Sequence, residues 1–325
     1  MRRALLLAAK AATSVLLLYL SLRWVNVGVL TEQFSRLDPS WIVFAVLLLM
    51  SQVAVLAARW REIAAVCGAN LTFIPAVQIS FIATFFNQVL PSTIGGDGVR
   101  IWLLARSGVG WAKATYSTLI DRIVGVFALA LIVVVCLPWS FELIRDPLAR
   151  ALLLVIGFGA VVATFLFMLI GTRYRQFFNR WMLTRHLSAA SRDAVTLCSS
   201  PHSISLVVVC SLVIHLLTII AAWCCIRAIA APVSFTQVLF LMPPVLLVAT
   251  IPISIAGWGV RESSMIVAFS YAGLAESNGL SLSILFGAAS IVVGVVGGIV
   301  WIVSGLQIRS LARAVAEAEA VVEQS

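Results

Sequence analysis

Two short segments hold most of the residues whose types and spacing suggest chemistry. Residues 90–100 read LPSTIGGDGVR and residues 251–261 read IPISIAGWGVR. The first carries Pro91, Gly95, Gly96, Asp97 and Arg100, with Asn87 just before it; the second carries Pro252, Gly257, Gly259 and Arg261, followed by Glu262. Proline blocks helix continuation, and glycine permits tight or left-handed turns. Each segment therefore predicts a helix that stops and a new half-helix that begins, near Gly96 in the first case and running through Leu104. The free N–H groups of such a helix start favour an anion. Arg100 and Arg261 add guanidinium forks suited to bidentate contact with phosphate. The competing reading is a tight helix–loop–helix packed for its own sake, with Arg100 paired to Asp97 or Asp121.

Asp121 and Arg122 fall a few residues inside an apolar run, at 113–137. Intramembrane charges usually face the bundle interior and pair, and sequence neighbours on a helix point apart. Each is thus expected to find its partner elsewhere, Asp121 with Arg100. The alternative is snorkelling at the interface. Glu262 is expected to balance Arg261, and His215, mid-way along the 203–225 run, to be a hydrogen-bonded packing residue rather than a proton relay. The six cysteines and three histidines show no metal or redox spacing. No metal and no cofactor is expected.

The elements that must position these residues are membrane helices. The chain is 62% hydrophobic and 11% charged, with mean hydropathy +1.09, against about 25% charge in soluble domains. The apolar residues form continuous runs near the ~20 residues that span a bilayer. Spans are expected at 4–22, 41–58, 113–137, 148–171, 203–225 and 279–306. Two further apolar segments, 72–90 and 236–251, each run straight into one of the Pro/Gly motifs. The net charge of +9 marks a cytoplasmic face and attraction to anionic lipid, not nucleic acid.

The motifs repeat at an offset of 161, which also carries 41–58 onto 202–219, 72–90 onto 233–251 and 113–137 onto 274–298, all apolar. The chain reads as one membrane domain, 1–306, made of halves at about 1–145 and 146–306, with a short cytoplasmic helical tail at 307–325. Arg173, Arg175, Arg180, Arg185 and Arg192 make 172–202 the most cytoplasmic loop, joined by Arg2, Arg3, the Arg59/Arg61 loop and Arg309/Arg313. These placements agree only if 72–112 and 236–278 each enter and leave on one face. Each is then a re-entrant hairpin, and the halves are inverted, as in many secondary transporters. At 174–190, Tyr174, Phe177, Phe178 and Trp181 share a helical stripe between arginines, which suits either a surface helix or an ordinary basic loop. Gly294 and Gly298 permit close helix packing, within the chain or in a homodimer; the former is expected.

In their order, N-Q-V-L-P-S-T-I-G-G-D-G-V-R, T-L-I-D-R-I-V-G and I-P-I-S-I-A-G-W-G-V-R-E resemble the flippase-like family of lysylphosphatidylglycerol synthase transmembrane regions. The resemblance spans essentially 4–306. It implies an all-α bundle of eight spanning helices with two re-entrant segments in a bacterial inner membrane, and movement of lipids or lipid-linked sugars between leaflets. On motif positions it implies site roles for Asn87, Pro91, Gly96, Asp97, Arg100, Asp121 and Arg122 in the first half, and for Pro252, Gly257, Gly259, Arg261 and Glu262 in the second. The soluble aminoacyl-transfer domain of bifunctional members has no counterpart here, so lysyl transfer is not implied. No P-loop, G-x-S-x-G or H-E-x-x-H occurs, and no enzyme activity is expected. The expected function is a flippase for an anionic amphiphile, phospholipid or polyprenyl-phosphate-linked, its phosphate held midway between the hairpins by Arg100, Arg261 and the half-helix starts. The alternative is a non-transporting partner of a lipid or glycan synthesis enzyme. Both termini are expected in the cytoplasm.

Overall fold

The computed structural model describes residues 27–90, 95–173, 182–251 and 257–304. These form α1 (Val27–Ser35), α2 (Pro39–Val66), α3 (Phe73–Val89), α4 (Gly95–Leu104), α5 (Trp111–Leu143), α6 (Pro147–Thr172), α7 (Met182–Ser199), α8 (Pro201–Ala228), α9 (Phe235–Ala249), α10 (Val260–Tyr271) and α11 (Glu276–Val303), with a π-helical turn at Ala105–Val109 after α4. The described residues contain no strand. Five helices, α2, α5, α6, α8 and α11, are long and apolar enough to cross a membrane. They contain the runs expected at 41–58, 113–137, 148–171, 203–225 and most of 279–306. The expected span at 4–22, Pro91, Pro252, the aromatic stripe Tyr174–Trp181 and the tail at 307–325 lie outside the described residues.

Local chemistry fixes where several helices begin. Asp38 and Asp146 each accept a backbone N–H of the first turn, from Ser40 at 2.9 Å and Ala149 at 2.8 Å. Each is followed by proline at the first helical position, where a missing N–H costs nothing. Ser200 and Pro201 do the same for α8. Ser234 and Gln237 form a reciprocal capping box at the start of α9. Two stretches outside the expected spans are helical. Residues 27–35 form α1, and much of the basic stretch 172–202 forms α7.

At the offset of 161 residues, α2 falls on α8, α3 on α9, α4 on α10 and α5 on α11, with shifts of a few residues at the ends. The packing follows the same exchange. α2 packs most extensively on its counterpart α8, while α3 packs on α11 and α9 on α5. The short helices come as the pairs α3/α4 and α9/α10. At 1.5 Å per residue, the 17 residues of α3 reach only about 26 Å, less than the ~30 Å hydrocarbon core.

The small residues of α11 are used within the chain. A Cβ on Gly297 would overlap the Phe81 carbonyl oxygen, and one on Gly298 would stand 3.0 Å from the Phe85 ring. Trp301 closes the same seam against Phe86, ring centroids 4.9 Å apart. Gly297→Ala is therefore expected to cost about 1–3 kcal/mol by overpacking, read as a lower melting temperature in detergent. Gly159→Ala on α6, where a Cβ meets nothing within 4 Å, is the neutral control. Elsewhere α6 turns Leu152, Val155, Phe158, Val162 and Leu166 outward. So large an apolar face is expected against lipid, not water.

Candidate functional site

Asp121 is the hub of the site. It lies on α5, 2% exposed, and both its oxygens are held by arginine. Arg59 Nε donates to Oδ1 at 2.9 Å and Arg100 Nη1 to Oδ2 at 2.9 Å, the latter being the partner expected from sequence. One residue on, Arg122 points the other way and donates from Nε to Asp97 Oδ2 at 2.7 Å. Asp97 Oδ1 lies 3.8 Å from Arg100 Nη1 and links the two pairs. Three guanidiniums thus face two carboxylates in a chain from α2 through α5 and α4.

Each member is positioned by the helix that carries it. α4 is pressed against α3 so closely that a Cβ on Gly96 would overlap the Ala83 carbonyl oxygen. Asn87 Oδ1 accepts the Gly96 N–H at 2.8 Å, and Asp97 sits in the first turn. The α4 start is thus already complemented by chain groups, and the cations, more than its N–H groups, are left to meet an anion. Arg100 stacks over the Trp60 ring, 4.3 Å from its centroid. Gly125 leaves room for Arg59, since a Cβ there would stand 3.3 Å from Arg59 Nη2, and its carbonyl accepts from His215 Nε2 at 3.1 Å.

A polar cavity of about 250 Å³ opens onto this cluster, lined by Arg59, Asp97, Arg100, Asp121 and Arg122 among others. Arg100 is 5% exposed, yet among the described residues its Nε and Nη2 have no hydrogen-bond partner, and neither has Ser80 Oγ on the same wall. Nearly all buried donors in native proteins find a partner.

Arg59 corrects the sequence reading. It was assigned to a cytoplasmic loop, but α2 continues to Val66 and buries Arg59 at 3% exposure. The apolar residues that resume at Ile63–Val66 were the available signal. Ser80, Trp60, His215 and Thr250 also join or back the site without having been assigned to it from sequence.

The second motif is built differently, and its described residues Gly257, Gly259, Arg261 and Glu262 do not line this cavity. Gly257 and Gly259 both take positive φ, 79° and 86°, so the glycines are required by the turn. Glu262 Oε2 accepts the Gly259 N–H at 2.6 Å while Oε1 pairs with Arg261 Nη2 at 2.8 Å. Arg261 Nε donates to Ser283 Oγ at 2.9 Å, and Ser283 donates to Glu262 at 2.8 Å. This is a charge-neutral pair in which Nε and Nη2 of Arg261 are both hydrogen-bonded. Gly259→Ala is expected to lose about 1–2 kcal/mol from backbone strain, visible as a lower melting temperature.

The match to the family model for the lysylphosphatidylglycerol synthase transmembrane region covers residues 7–298, which includes both motifs and the whole cluster. The chain belongs to that family. A UPF0104 membrane protein from Pyrococcus horikoshii is 26% identical over 151 residues, 46% of this chain and 44% of that protein. The match thus spans under half the length of that relative. No solved structure matches the chain. Membership of the lysylphosphatidylglycerol synthase transmembrane-region family makes this a multi-pass membrane protein, in keeping with its five long apolar helices.

Proposed function

We propose that this chain is a flippase that moves an anionic, phosphate-bearing amphiphile between leaflets of a bacterial inner membrane. The observation that supports the reading is Arg100, buried beside a cavity with two of its guanidinium nitrogens unpartnered among the described residues. Buried donors without partners cost free energy, and a phosphate oxygen pair offers the acceptors that guanidinium geometry suits.

Among the described residues the cluster also brings three guanidiniums to two carboxylates, a setting that favours an anion. An apolar cavity of about 140 Å³ between α5, α6, α7 and α8 adjoins it at Ser211, whose hydroxyl accepts from Arg59 Nη1 at 3.1 Å. Polar head and apolar tail thus find neighbouring environments.

In this reading α2, α5, α6, α8, α11 and the expected run at 4–22 span the bilayer, α3/α4 and α9/α10 are re-entrant hairpins, and the halves are inverted with both termini in the cytoplasm. Rocking of one half against the other alternates access to the site. Arg100, Asp97, Asp121, Arg122 and Asn87 form the headgroup site with Gly95 and Gly96 beside them. Gly257, Gly259, Arg261 and Glu262 hold the second hairpin in shape.

The test is reconstitution in liposomes with fluorescent phospholipids. Leaflet exchange well above protein-free vesicles supports the flippase. Background exchange together with a stably co-purifying synthesis enzyme instead supports a non-transporting partner subunit.

A further inference from the structure

α1 and α7 stand at opposite ends of the α2/α8 pair. α1 leads into α2, and the Asp38 N–H donates to the Ala228 carbonyl at the far end of α8 at 2.9 Å. α7 leads into α8, and its Asp193 carboxylate accepts from the Cys67 thiol at the far end of α2. The 28 residues of α2 separate the two places by about 42 Å. At the offset of 161 residues α1 falls inside α7 and Cys67 falls on Ala228. The two arrangements are therefore counterparts.

Each short helix grips the other half of the chain. On α1, Gln33 Nε2 donates to Asn278 Oδ1 at 2.8 Å, and Gln33 Oε1 accepts from Ser281 Oγ at 2.6 Å. Both partners lie at the start of α11. Leu30 packs beside them with Ile266 and Leu280. On α7, His186 Nδ1 is hydrogen-bonded to Tyr116 Oη at 2.5 Å, at the start of α5. α7 is fixed to its own half by Ser191, whose hydroxyl donates to the Phe167 carbonyl at 2.7 Å and accepts the Gly171 N–H at 2.9 Å. The contact left to part is thus the exposed one with α5.

The gripped helices also wall the cavities. Tyr116 lies five residues, about 8 Å, before Asp121 on α5. Further along α11, Ser290 and Val293 line a second cavity of about 190 Å³, which shares Leu56, Thr84 and Asn87 with the Arg100 cavity. We infer that α1 and α7 are the two gates of the transport cycle. Release of Gln33 from α11 opens the cavities to one face, and release of His186 from α5 opens them to the other. With both clasps made, the site is closed at both ends. This rests on the alternating-access reading given above. The clasp residues act by positioning α5 and α11 and touch no substrate. Hydrogen bonds of this kind add little net stability, so either clasp can open within a cycle.

The experiment is side-specific labelling. Leu56→Cys places a thiol where the two cavities meet. A membrane-impermeant maleimide is applied to sealed right-side-out and inside-out vesicles holding the full chain. Peptide mass spectrometry separates that thiol from the six native cysteines. Gln33→Leu is expected to raise its labelling rate at least about fivefold from one face, and Tyr116→Phe by as much from the opposite face. Val29→Ala, on the exposed side of α1, leaves both rates unchanged. Should either variant fold poorly, Asn278→Leu with Ser281→Ala repeats the first test from α11, and His186→Leu repeats the second from α7.

A clasp variant that raises labelling from both faces overturns the inference, as does one that melts like wild type and raises it from neither. A clasp kept only for packing would lower the melting temperature and leave sidedness alone. Face-specific labelling without leaflet exchange keeps the gates and removes the flippase reading; exchange with labelling indifferent to both clasps does the reverse.

Discussion

Asp121→Asn lowers the stability of the purified protein by about 3–5 kcal/mol, the typical cost of stripping a buried ion pair of one partner. Asp121 holds Arg59 and Arg100 at 2.9 Å each, and both guanidiniums are almost wholly buried. Loss of the carboxylate leaves three guanidiniums and one carboxylate in a low-dielectric interior. In a helical bundle of this size the loss corresponds to a melting temperature lower on the order of 10 °C. The penalty comes mainly from the uncompensated arginine, so removing that charge too should restore much of it. Arg59→Leu in an Asp121→Leu background is expected to recover at least half of the loss. A single variant that melts like wild type would show that Asp121 is not the electrostatic hub of the cluster.

The second large effect has the opposite stability signature. Arg100→Gln leaves Arg59 with Asp121 and Arg122 with Asp97, two pairs in charge balance. It also removes the two guanidinium nitrogens left unpartnered among the described residues. Against this stand the lost ion pair with Asp121 at 2.9 Å, which the glutamine amide replaces with a neutral hydrogen bond, and the lost stacking on Trp60, worth about 0.5–2 kcal/mol. The melting temperature without ligand is therefore expected to stay within about 2 °C of wild type. The stabilisation produced by an anionic lipid should vanish, since a charge-assisted contact of about 3 kcal/mol corresponds to roughly a hundredfold in affinity. A residue kept only for packing would behave in reverse, losing stability and leaving lipid binding alone. Functional sites commonly trade stability in this way.

Much of the architecture was legible because lipid imposes it. Apolar runs of spanning length can only be helices; the Asp–Pro and Ser–Pro pairs that start α2, α6 and α8 carry a boundary signal that hydropathy alone does not use. The repeated motif exposed the correspondence between α2–α5 and α8–α11 before any packing was visible. The site was partly legible. Asp121 and Arg122, being adjacent on one helix, had to seek different partners, and they do.

What could not be read was which motif arginine is left open. Arg100 and Arg261 occupy equivalent places in sequence, but Glu262 and Ser283 close around Arg261, while the carboxylate nearest Arg100 is shared with Arg59. That difference depends on Arg59, whose burial follows from where α2 meets α5 and α8. The use of Gly297 against Phe81 was open for the same reason: a small-residue stripe gives closeness of approach, not the identity of the neighbour.

The central claim is that Arg100 holds the headgroup being moved. It is tested most directly by leaflet exchange of fluorescent phosphatidylglycerol in proteoliposomes, wild type against Arg100→Gln at matched protein density. The account predicts that exchange falls at least about thirtyfold, to the protein-free background, in a variant that melts like wild type. Exchange by Arg100→Gln at the wild-type rate would contradict it.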